Sequence, residues 1–201
     1  MKKIITLIAA LAITTAFFSC ASTDKNDEVA AVKSESTTAP AENTVAEPIL
    51  IDDFEYGIYW EAIGSSWNDG DQSMYCKSST AWGTEGETSL ECTVRTAGAE
   101  WEKSGFFTSP LETNWTGLTK ISFDVYNPND FDLSLTVVTQ AGENWEAWNQ
   151  IDAQIVPPGE TTLEFDISSY QHLEFIQRVI IYQFGAVPQQ CEFYIDNVQA
   201  Y

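Results

Sequence analysis

The chain has 201 residues, of which 30 are acidic and 9 basic, for a formal net charge of −21, with 44% hydrophobic and 13% aromatic residues. That apolar content is too high for a wholly disordered acidic chain, and the charge excludes a nucleic-acid or anionic-lipid surface as partner, because no basic face could release counterions. A single histidine, His172, excludes any site that needs two imidazoles, including most catalytic zinc centres.

Residues 1–19 begin with Lys2 and Lys3, continue as an apolar run from Ile4 to Phe18, and end on Ser19. This is the pattern of a secretory signal rather than of a structural transmembrane helix. The ending Phe17-Phe18-Ser19-Cys20 resembles a bacterial lipobox, with phenylalanine where leucine is usual. The resemblance makes Cys20 the lipidated N-terminus of an exported protein anchored at the cell envelope or surface; the alternative is plain secretion. Residues 21–48 contain no aromatic residue and no Leu, Ile or Met. Such a segment buries too little surface to offset chain entropy, so 20–48 reads as a lipidated cysteine followed by a disordered tether, with a reach of about 30 Å.

From Ile49 onward the texture changes, and all 7 Trp and all 8 Tyr lie in 49–201. The periodicity here is two. Ser89–Arg95 alternates with Leu90, Cys92 and Val94 on one face; Leu118–Tyr126 does so with Ile121, Phe123 and Val125; Leu133–Gln140 places Leu133, Leu135 and Val137 together. Thr162–Ile167, Arg178–Phe184 and Glu192–Gln199 are further strands, and Ser168–Phe175 is the one stretch suited to a short helical turn. Turn signals separate them at Gly83–Gly86, Asn127–Asp130 and Pro157–Gly159. Short alternating strands joined by such turns predict an all-β protein, an antiparallel β-sandwich. Cys76, Cys92 and Cys191 form an odd set: Cys76 and Cys92 either face each other across a hairpin turned at Gly83–Gly86, or Cys92 is a buried apolar thiol.

Five segments in order resemble the calcium-containing β-sandwich carbohydrate-binding modules, galactose-binding-like jelly rolls. They are Ile51–Glu55, Glu85–Leu90, Trp115–Val125, Val156–Glu160 with the strand Leu163–Ile167, and the pair Arg178–Ile181 and Phe193–Val198. Lys103–Ser109 adds a likeness to the family-11 branch. The resemblance implies a jelly roll over 49–201 and a structural Ca²⁺ held by Glu55 with Asp53 beside it, Asp196, and carbonyls near Gly86 or Glu87. Calcium takes six to eight hard oxygens, which suits such a set. The acidic loop Asn68–Asp71 lacks the spacing of an EF-hand and reads as a solvated turn.

Sugars lay C–H faces on aromatic rings and pair their hydroxyls with amides and carboxylates. The segment Gln140–Gln150 carries Trp145 and Trp148 among six polar partners, Gln140, Glu143, Asn144, Glu146, Asn149 and Gln150; the flankers Glu143, Asn144, Glu146 and Asn149 favour exposure, although one indole of the two can serve packing. Tyr182, on the strand face opposite Val179 and Ile181, is expected to join that surface, and Trp60 and Trp67 are further candidate ligand contacts, with Trp82 and Trp101 behind them. Trp115 is expected to plug the core. No nucleophile elbow, third carboxylate after Glu164-Phe165-Asp166, or glycine-rich phosphate loop is present. The expectation is therefore a non-catalytic, monomeric glycan-binding lipoprotein that meets membrane through its N-terminal lipid only. An adhesion protein binding another protein is the alternative, and a small glycoside hydrolase or lyase stands third.

Overall fold

The computed structural model describes residues 46–63, 75–94 and 103–201. The expected signal segment, Cys20, the tether as far as residue 45, Trp67, Asn68–Asp71 and Trp101 lie outside the described residues.

Among the described residues twelve strands form two six-stranded sheets, antiparallel in every pairing, and there is no helix. The first sheet runs β10 (Gly159–Asp166), β6 (Lys120–Asn127), β12 (Cys191–Ala200), β4 (Ser89–Val94), β3 (Tyr75–Ser79), with β1 (Ile49–Asp52) pairing the end of β12. The second runs β2 (Glu61–Ile63), β5 (Lys103–Thr108), β11 (Ile176–Phe184), β7 (Leu133–Ala141), β8 (Ala147–Gln150), with β9 (Gln154–Val156) also on β7. This is the predicted antiparallel β-sandwich.

The alternation that marked the strands decides which side chains meet between the sheets. Leu90, Cys92, Val94, Ile121, Phe123, Val125, Leu163 and Phe165 from the first sheet are buried with Leu133, Leu135, Val137, Phe106, Val179 and Ile181 from the second. Phe123 and Phe165, neighbours across β6 and β10, stack at 5.8 Å; burying each ring contributes about 2–3 kcal/mol. Trp115 is fully buried at the end of this core, its Nε1 donating to the Glu112 carbonyl.

Ser168–Phe175 folds as two successive turns, closed by the Tyr170 amide on the Ile167 carbonyl and the Phe175 amide on the His172 carbonyl. His172 takes a left-handed φ of 59°, which interrupts any helical run. Cys76 stands directly opposite Cys92 in the β3–β4 register; with Cys191 these are free thiols, Cys92 wholly buried.

Candidate functional site

The outer face of the second sheet, turned away from the main core, gathers residues in cross-strand rows. One row is Ile63, Gly105, Tyr182 and Thr136; the next is Glu61, Phe107, Ile180, Val138 and Gln150; the third is Arg178, Gln140 and Trp148. Ile63, Val138, Ile180 and Tyr182 form a second apolar cluster here, with Phe107 packed against it. At its border the rings become wet: Trp145 is 47% and Trp148 42% exposed.

Local chemistry explains how the two indoles are set. β8 is a strand, so Ala147 and Asn149 point inward while Trp148 and Gln150 point out. The Trp148 indole lies 6.3 Å from the Tyr182 ring and donates its N–H to Gln150 Oε1. Trp145 closes a turn, its amide donating to the Gly142 carbonyl, and sits at a φ of 63° that a large side chain adopts only under constraint. Glu146 supplies part of the constraint by accepting from the Asn144 amide and side chain. The amide of Glu146 itself, and then those bonds from Asn144, hold its carboxyl below the ordinary range. Gln177 ties the same turn to β11 through the carbonyls of Gly142 and Glu143.

Arg178 joins the parts. Its guanidinium carbon lies 4.2 Å from the Phe107 ring centre and 5.1 Å from that of Trp145, and it donates to Gln140 Oε1 at 3.1 Å. Such cation–π contacts fix an indole in place while leaving its edge and far side to a ligand. A recess of about 370 Å³ runs beside Trp148, lined by Glu146, Asn149, Gln150, Ser169, Tyr170 and Gln171. The assembly offers flat rings, amides and one guanidinium, the components of a sugar-binding cleft.

The structure brings Trp145, Trp148, Gln140 and Tyr182 together, sets Asn149 in the recess beside Trp148 and Trp60 in the core, and leaves Trp67 and Trp101 outside the described residues. Tyr182 lies on the expected face but is 1% exposed, its ring laid over Gly105, where a Cβ would stand 2.4 Å from Cε1. It therefore floors the site rather than contacting ligand, and burial pushes its hydroxyl up to about 12. Asn149 faces inward, bonded to Thr139 Oγ1 and to the backbone of Gln171, so it positions the 168–171 turns. Trp60 is buried against Phe54, with its N–H on Asp52 Oδ2, and is not a surface ring. Arg178 and Phe107 were missed; parity with Tyr182 and the scarcity of basic residues were the available signals for Arg178, and Gln150, one of the polar partners expected around the indoles, holds the Trp148 N–H.

The expected calcium ligands hold a loop instead. Glu55 Oε1 accepts from the amides of Glu87 and Thr88 and from Thr88 Oγ1, which lowers its pKa. Buried Asp196 accepts from the amides of Thr84 and Glu85 on Oδ2 and of Asn197 on Oδ1. Asp53 spends Oδ1 on the Glu55 amide, and Glu87 contributes its own N–H rather than a carboxylate. Gly86 makes the approach feasible: at φ 68°, a Cβ would stand 2.3 Å from Glu55 Cδ. Among the described residues no group of three or more His, Cys, Asp or Glu side chains could hold a metal. N–H donors converge on Glu55 Oε1 and on both oxygens of Asp196, so amides hold this loop on the carboxylates.

No family model matches the chain, and no curated protein matches it. Solved structures do. A family 11 carbohydrate-binding module from Clostridium thermocellum, in complex with a β-1,3-1,4-mixed-linked tetrasaccharide, superposes with a TM-score of 0.57 at 16% identity, over 76% of this chain and 94% of that one. The family 11 module of a cellulosomal cellulase of Clostridium thermocellum gives 0.57 at 16% identity, over 77% and 94%. The xylan-binding family 22 domain from Paenibacillus barcinonensis gives 0.50 at 17%, over 74% and 89%. At these identities the similarity shows the fold: this chain carries the two-sheet β-sandwich found in carbohydrate-binding modules of families 11 and 22.

Proposed function

We infer that the protein is a non-catalytic, monomeric glycan-binding module, which holds neutral polysaccharide against the outer face of its second sheet. The observation that carries this reading is the pair Trp145 and Trp148, left nearly half exposed while Arg178, Gln150 and the Tyr182 floor fix their geometry. Rings held rigid before binding cost little entropy when a sugar stacks on them. The carboxylates of Glu143 and Glu146 on the same turn suit hydroxyl donors and repel acidic sugars. Two of the similar structures are described with a mixed-linked tetrasaccharide or as xylan-binding, which makes β-1,3-1,4-glucan and xylan the first polysaccharides to try. With Cys20 lipidated, the tether would present this face outside the membrane that anchors it.

Affinity electrophoresis through gels containing each soluble polysaccharide tests the reading. Retardation by at least one neutral β-glycan is expected, with loss of the retardation on Trp148→Ala. Unretarded migration through the whole panel, together with capture of a protein from envelope extract, would replace the reading by the adhesion alternative. Release of reducing ends would contradict the absence of catalysis.

A further inference from the structure

A second aromatic site stands on the opposite side of the sandwich. On the outer face of the first sheet, Trp82 stacks on Tyr126 at 5.8 Å and 25°, and Tyr126 stacks on Tyr194, its partner across β6 and β12, at 6.0 Å and 27°. Trp82 lies in the β3–β4 connection, so the ladder braces from beneath a ring that a loop carries over the sheet. Beside Trp82 is a recess of about 150 Å³, lined also by Thr84, Asp124, Glu160, Thr161 and Thr162. Its polar groups are already oriented. Asp124 accepts from Thr84 Oγ1 at 2.7 Å and from Thr162 Oγ1 at 2.6 Å, and Glu160 Oε1 accepts from the Trp82 indole N–H at 3.0 Å. Both threonine oxygens keep lone pairs, and Glu160 Oε2 is left for an incoming hydroxyl.

We propose that this recess is a second saccharide site, taking one neutral pyranose residue with its C–H face on Trp82 and its hydroxyls on Glu160, Asp124 and the threonines. The volume suits a single sugar ring rather than a chain in a cleft. Two carboxylates with no cation among the lining residues exclude uronic acids and favour uncharged polyols. An indole wall distinguishes a sugar from a merely polar ligand. Because the two sites face away from each other on different sheets, one protein could hold two chains, or a chain and a terminus, at once. Even millimolar affinity here would raise overall avidity for a polysaccharide.

The Trp145→Ala/Trp148→Ala double variant isolates the recess. Saturation-transfer NMR on this variant with methyl β-D-glucopyranoside and methyl β-D-xylopyranoside is expected to show binding, with Kd of about 1–10 mM, as for a ligand of this size. Methyl β-D-glucuronide is expected to bind at least about tenfold more weakly. Trp82→Ala in that background is expected to abolish the signal, and Glu160→Gln to weaken it several-fold at an unchanged melting temperature. Absence of transfer from both neutral glycosides, or transfer unaltered by Trp82→Ala, would overturn the proposal. Trp82→Ala alone leaves the second sheet's face intact, so retained polysaccharide binding by that variant separates failure of this site from failure of the first.

Discussion

Removing the Asp196 carboxylate tests how the 83–88 loop is held. Asp196→Ala deprives three amides of their acceptor, those of Thr84 at 2.6 Å, Glu85 at 3.0 Å and Asn197 at 2.8 Å. Hydrogen bonds to a charged group contribute about 1.5–3 kcal/mol each, but Thr84 and Glu85 are exposed and recover part of the loss from water. Asn197 is half-buried and Asp196 fully buried, so their share is not recovered. The net cost is about 3 kcal/mol. In a domain of this size that lowers the melting temperature by about 6–12 °C. Differential scanning calorimetry reads it directly, and Asp196→Asn, which keeps one acceptor oxygen, is expected to fall between. A chelator is expected to leave the wild-type melting temperature unchanged. A wild-type transition that drops on chelation and returns with Ca²⁺, or an Asp196→Ala protein melting within about 2 °C of wild type, would refute the amide-held loop.

Gly105→Ala should drive the Tyr182 ring off its seat, costing about 1–3 kcal/mol in urea unfolding and altering tryptophan emission through Trp148; an unchanged midpoint would contradict the packing. The Glu146 carboxyl is held below its ordinary value of 4.5, so its support of the Trp145 turn is present above that value and is lost as pH falls through the lower folded one. The indole N–H resonance of Trp145 should therefore shift with a midpoint below 4.5 and lose that dependence in Glu146→Gln, and a midpoint above 4.5 would reverse the sign. Burial pushes the thiols of Cys76 and Cys191 up to about 11. At pH 8 only about one in a thousand would be thiolate, so native alkylation, followed by peptide mass spectrometry, should be far slower than in urea; equal rates would contradict it.

The β-sandwich was legible because strands such as Leu118–Tyr126 bury one face only, and a period of two is then imposed on the sequence. Edge strands of three or four residues, β2, β8 and β9, cannot display alternation over so few positions, and the longer β5, with Gly105 in its middle, was marked only by the resemblance of Lys103–Ser109. Strand parity sends Trp148 and Asn149, both expected as ligand contacts, to opposite faces of β8, although both line the recess beside Trp148. Polar flankers indicated exposure correctly for Trp145 and Trp148 but not for Trp60, whose neighbours Tyr59 and Glu61 are exposed while its own N–H is satisfied by Asp52. Asp53, Glu55, Glu87 and Asp196 were found as a locality. Whether a glycine loop turns N–H groups or carbonyls toward them depends on backbone torsions, such as φ 68° at Gly86, that composition does not reveal. Arg178 escaped because a guanidinium on a sheet face reads as a solvated charge until two rings are seen beneath it.

Titrating soluble β-1,3-1,4-glucan or xylan oligosaccharides into the ¹⁵N-labelled protein, with the Trp145 and Trp148 indole N–H resonances followed, shows whether these two rings meet sugar. Both resonances are expected to move in a saturable manner with at least one of these ligands, with the Arg178 side-chain signals responding alongside them. Saturable binding that leaves both indole resonances in place would put the glycan elsewhere, and no response to any neutral oligosaccharide would contradict the account.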